Sequence, residues 1–143
     1  KVKSSYKSLL FFGLILSLIQ IGLGTQVRQF VDESVKTFGY DQKNLWLQDV
    51  DIKFYVHRSL SILVLLTNVG LWILNKKRNY NLDRLTNGLI FVILIEIFTG
   101  ILMYYFDFPY LSQPLHLIIA ALLFSLQFYI FVKIKTKSQH KLA

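Results

Sequence analysis

Phe54-Tyr55-Val56-His57-Arg58 opens a stretch that continues through Leu60-Ser61-Ile62-Leu63-Val64-Leu65-Leu66 to Leu74, apolar almost throughout and without an acidic residue. Its length matches the ~20 residues that a helix needs to cross the hydrocarbon core of a bilayer. A second histidine, His116, stands near the start of another such run. Two histidines, each just inside the start of a different span, suggest a cofactor held between two axial nitrogens, provided both lie on one side of the membrane. The rest of the chain decides that condition.

Composition places the chain in a membrane. Of its 143 residues 54% are apolar and 15% aromatic, and the mean hydropathy is +0.47, unusual for a soluble domain. There is no cysteine, which excludes disulfides, thiolate haem ligands, iron–sulfur clusters and cysteine-based zinc sites together. The net charge of +8 is grouped beside the apolar segments rather than along one soluble face, so it reads as membrane topology and not as a nucleic-acid surface.

Four apolar segments, about 8–27, 54–74, 85–105 and 114–132, predict a single all-α domain, a four-helix transmembrane bundle in contact with membrane lipid. The chain begins at Lys1 rather than Met, as a processed chain or a piece of a longer one does. Lys1, Lys3 and Lys7 ahead of Leu9 to Leu23 imitate a secretory signal, but three further spans favour a first transmembrane helix. Lys1, Lys3, Lys7, Lys76, Lys77, Arg78, Arg84, Lys133, Lys135, Lys137 and Lys141 fall on one side; Arg28, Lys36, Lys43, Lys53 and Arg58 fall on the other with six acids. The positive-inside bias then puts both termini in the cytoplasm and both histidines toward the outer face.

In the first outer loop, Val27, Phe30, Val31, Val35 and Phe38 keep helical spacing up to Gly39, which predicts a short interfacial helix. Trp46 suits the headgroup boundary, Asp49 or Asp51 the cap of the second span, and Pro114 the first turn of the fourth. Gln20-Ile21-Gly22-Leu23-Gly24 is echoed by Glu96-Ile97-Phe98-Thr99-Gly100. Each precedes an outer loop and a histidine-bearing helix, which suggests two pseudo-symmetric helical hairpins with the second and fourth spans diagonal.

Helical spacing from His57 leads to Ser61, Val64 and Asn68, and from His116 to Ala120, Leu123 and Gln127. Gly13, Ser17, Gln20 and Gly24 form a similar stripe on the first span, as do Glu96, Gly100 and Met103 on the third. Small and polar residues of this kind line helix interfaces in lipid, so both histidines are expected to point inward. A planar macrocycle between diagonal helices needs one imidazole from each at matched depth, with small residues at its edges. The plainer alternative is a pair of interfacial histidines satisfied by carbonyls or water. Arg28 and Arg58 stand at the outer rim, where both suit haem propionates or lipid phosphates, Arg58 the phosphates more than the propionates. Glu96 lies near the bilayer centre, expected about 10 Å deeper than the histidines at 1.5 Å per residue; an ionisable group there is either functional or a protonated structural acid bonded to Gln20 or Asn68. His140 sits among tail lysines and reads as solvated.

Gly24-Thr25-Gln26-Val27-Arg28-Gln29, Phe54-Tyr55-Val56-His57-Arg58 and Gln113-Pro114-Leu115-His116-Leu117 together resemble the haem A synthase family, in its C-terminal half. That resemblance covers nearly the whole chain and implies one of two similar four-helix bundles, each with a histidine pair on its second and fourth helices. It implies a role in oxidising haem O to haem A for cytochrome oxidase, with haem b held in this half by His57 and His116. Haem-pathway proteins and an N-terminal half, or a second copy of this chain, are the implied partners, and a bacterial plasma membrane or equivalent energy-transducing membrane is the implied location. The family's substrate bundle usually has a glutamate one turn before its first histidine; Lys53 and Phe54 stand there here, which argues against substrate oxidation within this half. A bis-histidine electron-transfer cytochrome and a haem-free assembly protein are the other readings.

Overall fold

The computed structural model describes residues 2–47 and 50–139, with side chains to residue 136. Asp49 and His140, and the side chain of Lys137, lie outside the described residues. Four helices follow in order: α1 Ser4–Phe38, α2 Ile52–Arg78, α3 Asp83–Tyr105 and α4 Ser112–Gln139, with a 3-10 turn at Lys43–Leu45 between α1 and α2. Each of the four is long and apolar enough to cross a membrane. The chain is an integral membrane protein.

The ends of these helices follow from local chemistry. α1 stops at Gly39, whose φ of 79° suits a residue without Cβ and whose N–H bonds to Val35 O at 2.8 Å. Asp51 occupies the N-cap of α2 in extended backbone but makes no capping hydrogen bond; its carboxylate lies 3.8 Å from Lys53 Nζ instead. Lys76, Lys77 and Arg78 fill the last turn of α2, where the helix dipole favours cations, and Asn79 ends it in the left-handed region. Pro114 falls in the first turn of α4, as expected.

The expected interfacial helix is not a separate element. Residues 28–38 are helical, but they prolong α1 by about three turns beyond the apolar segment. The spacing of Val27, Phe30, Val31, Val35 and Phe38 was that of one continuing helix, because the charges from Arg28 onward mark the exit from lipid and do not break helical hydrogen bonding. Val31 is buried on this extension. Trp46 is also buried rather than turned to a headgroup boundary. Its Nε1 donates to Gly39 O at 3.1 Å and its ring packs on Phe108, 5.5 Å between centroids.

Around the bundle, α1 packs on α2 and α4, and α3 packs on α2 and α4, so α2 and α4 are diagonal. The two loops between α1 and α2 and between α3 and α4 share one end with both histidines. At the other end, Asn75 is fully buried and ties the short turn together: its Nδ2 donates to Thr86 Oγ1 and Asp83 Oδ1, both at 3.3 Å, and its Oδ1 accepts from Leu82 N at 3.2 Å. Between the ends, Gln127 Nε2 donates to Asn68 Oδ1 at 3.0 Å across the diagonal, and neither residue has exposed surface. Just under one turn further from the histidines, Leu10, Leu71 and Ile130 close the core with none of their surface exposed. Phe12, Leu18, Ile62, Leu66, Phe91 and Leu122, on the outside, are the exposed aliphatic and aromatic surface expected against lipid.

Candidate functional site

The inward stripes read from helical spacing are the interior of the bundle. Val64, Asn68, Leu123 and Gln127 are buried, as are Gly13 and Ser17 on α1, with Ser61 and Ala120 partly covered. His57, in the second turn of α2, and His116, in the second turn of α4, complete the stripes at one level. Their rings meet across the diagonal with centroids 6.5 Å apart and planes at 75°.

Each histidine rests against a glycine of the preceding helix. Gly24 of α1 faces His57, where an added Cβ would stand 3.1 Å from Cε1; Gly100 of α3 faces His116, where it would stand 3.6 Å from Cε1. Residues four positions earlier reinforce the pairing. Gln20 Nε2 donates to the backbone oxygen of His57 at 2.9 Å, and Glu96 Oε1 lies 3.2 Å from His116 Nε2. Glu96 therefore reaches a histidine, in contrast to the expectation from depth, and neither Gln20 nor Asn68 is its partner. Gly100 is level with His116, so Glu96 is only one turn, about 6 Å, deeper, and its side chain spans that interval.

The remaining polar atoms are unevenly satisfied. His116 Nδ1 is 2.8 Å from Thr99 Oγ1, which is also 2.9 Å from Glu96 O. His57 Nδ1, Glu96 Oε2, Gln20 Oε1, Ser17 Oγ and Gln127 Oε1 are buried and lack a hydrogen-bond partner among the described residues. Buried polar groups are normally paired, so these atoms have hydrogen-bonding capacity that the described residues leave unused, as do Tyr6 Oη and Ser112 Oγ elsewhere. Thr99 stands at an unmatched position of the echo between the first and third spans and is not on the stripes read from helical spacing; its place one residue before Gly100 is the available signal.

Arg28 and Arg58 lie at the rim, as expected, and both are exposed. Arg28 Nε is 3.7 Å from Asp32 Oδ2 one turn on, while the Arg58 guanidinium sits over the Tyr104 ring at 5.2 Å. Tyr104 in turn stacks on Phe54, 5.7 Å between centroids. A cleft of about 190 Å³ between the α1 extension and the start of α2 is lined by Glu33, Asp51 and Lys53 among others. Its mixed charge makes it no cradle for an anion.

The family model described as cytochrome oxidase assembly protein, COX15-CtaA, matches residues 1–128. No curated protein and no solved structure gives a match.

Proposed function

Because this chain belongs to the COX15-CtaA family of cytochrome oxidase assembly proteins, we propose that it is the haem b-binding half of a haem A synthase-type protein, with His57 and His116 as axial ligands. The observation that carries this reading is the pair of inward imidazoles on diagonal helices. With metal–imidazole bonds of about 2 Å, two rings on opposite sides of one metal have centroids roughly 6 Å apart, and these stand at 6.5 Å. Gly24 and Gly100 keep the helix backbones close to the rings without a side chain between. The unpartnered His57 Nδ1 and Glu96 Oε2 are further signs of an interior shaped for a guest. For His116 to offer Nε2, it must leave Glu96.

Bound there, haem would supply one-electron redox chemistry, with His57 and His116 as the residues that would hold it. With both imidazoles engaged, the chain's own residues would hold the ring and offer it no place for a further ligand. Oxidation of a haem O methyl group accordingly belongs to a partner bundle, an N-terminal half or a second copy of this chain, in exchange with the proteins that carry haem O and haem A. Arg28 and Arg58 are the residues at the rim that would pair with propionates, against Asp32 at 3.7 Å and the Tyr104 ring at 5.2 Å as competing partners. The membrane is the bacterial plasma membrane or an energy-transducing equivalent, with both termini cytoplasmic and the histidine end outward. The matched contacts of Gln20 and Gly24 with His57, and of Glu96 and Gly100 with His116, support two hairpins related by a pseudo-twofold axis.

The test is a visible spectrum of the purified chain with its extracted haem identified chromatographically. One six-coordinate low-spin haem b is expected, and His57→Ala or His116→Ala removes that spectrum. Parental reduced bands in the His57→Ala protein refute the assignment.

A further inference from the structure

The two imidazoles are held differently, and the difference traces to one position. Thr99 Oγ1 contacts both His116 Nδ1, at 2.8 Å, and Glu96 O, at 2.9 Å. A hydroxyl has one hydrogen to donate, and a carbonyl only accepts. The arrangement that supplies a hydrogen to both contacts has Thr99 donating to Glu96 O and His116 donating from Nδ1. Nε2 then carries the ring's lone pair, and Glu96 Oε1, 3.2 Å from it, meets that lone pair as a neutral acid that donates. His57 has no equivalent, since its Nδ1 is buried and without a partner among the described residues, and Gln20 reaches only its backbone oxygen. When Gln20 is aligned with Glu96 and Gly24 with Gly100, Leu23 stands where Thr99 does.

We propose that Thr99 is a positioning residue that fixes His116 as its Nδ1–H tautomer, and that Leu23 at the matching place leaves His57 unfixed. The two histidines are thereby unequal, with His116 the stronger donor through Nε2. The consequence for a metal rests on the reading of both as haem ligands; the tautomer does not. An acceptor on Nδ1–H orients the ring and raises the basicity of the ligating nitrogen, and loss of such a partner typically costs 10–100-fold in metal affinity.

Nitrogen-15 spectra of histidine in the full, haem-free chain read the tautomer directly. His116 is expected as Nδ1–H, and as a mixture in Thr99→Val. Titration with haem b and potentiometry then read the consequence. Thr99→Val should weaken haem binding at least about tenfold and raise the midpoint potential, because a less basic Nε2 stabilises the ferric iron less. Thr99→Ser restores both. Leu23→Thr should tighten binding and lower the potential. An Nε2–H tautomer in the parent overturns the proposal, as does parental affinity and potential in Thr99→Val. Should Thr99→Val fail to fold, failure of Leu23→Thr to move the potential overturns it. If the parent takes up no haem while its His116 is Nδ1–H only when Thr99 is present, the ligand reading falls and the role of Thr99 stands.

Discussion

Gly24 and Gly100 are matched in place but not in clearance, and the difference yields a paired test. A methyl at Gly24 would lie 3.1 Å from His57 Cε1, with both ring nitrogens within 4 Å, whereas at Gly100 the nearest approach, to His116 Cε1, is 3.6 Å. Carbon atoms pack best at roughly 3.5–4.0 Å, so Gly100→Ala makes an ordinary contact and Gly24→Ala forces the His57 ring aside. Overpacking costs about 1–3 kcal/mol, and a single methyl against one ring edge belongs near the low end. Alanine in place of mid-helix glycine returns about 1 kcal/mol of helix stability. Gly100→Ala should therefore raise folding stability by about 1 kcal/mol, and Gly24→Ala should leave it near the parent's value. Haem b retention should separate them in the other sense: about 1 kcal/mol of displaced ligand is roughly a fivefold loss for Gly24→Ala, with Gly100→Ala close to the parent. Gly22, with nothing within 4 Å of an added Cβ, provides the control. Thermal unfolding in detergent and haem titration of the three variants measure both quantities. Equal losses from Gly24→Ala and Gly100→Ala would refute the idea that the glycines make room for the imidazoles.

Reporter fusions after Thr136 and in the loop at Asn79 should both report the cytoplasmic side, and an outward signal from either reverses the proposed orientation. Gln127→Leu strands Asn68 Oδ1 in the core and should cost about 0.6–1.7 kcal/mol, as interhelical hydrogen bonds in lipid do; a double-mutant cycle with Asn68→Leu that shows no coupling contradicts the cross-bundle bond. Supplied with haem O, oxygen and a reductant or oxidant, the purified chain should yield neither hydroxylated nor formyl haem. Appearance of haem A would move the oxidation into this bundle.

Much of the bundle was legible because lipid simplifies the code. Apolar length marks the four spans, and small or polar residues at helical spacing mark the faces turned inward, which is how Val64, Asn68, Leu123 and Gln127 were placed in the core alongside both histidines. Charge was the misleading cue at Arg28. It signals departure from the bilayer, whereas the helix itself continues until Gly39 supplies a backbone conformation that ends it. Glu96 was misplaced for a different reason: depth counted along one helix ignores where its neighbour starts and how far a side chain reaches. Thr99 was hidden because an echo of matching residues draws attention to what is shared, and its significance lies in what the other half lacks.

The closure of the core by Leu10, Leu71 and Ile130 has an electrical consequence. A voltage across a membrane falls most steeply where the medium polarises least, and a layer of buried aliphatic side chains polarises less than the level that holds Ser17, Gln20, Thr99 and Glu96. A full crossing is worth about 2.3 kcal/mol per unit charge for each 100 mV, and a charge placed beside the histidines traverses only a small share of it. If haem b is held there as proposed, an electron delivered from the histidine end would cross little of that voltage.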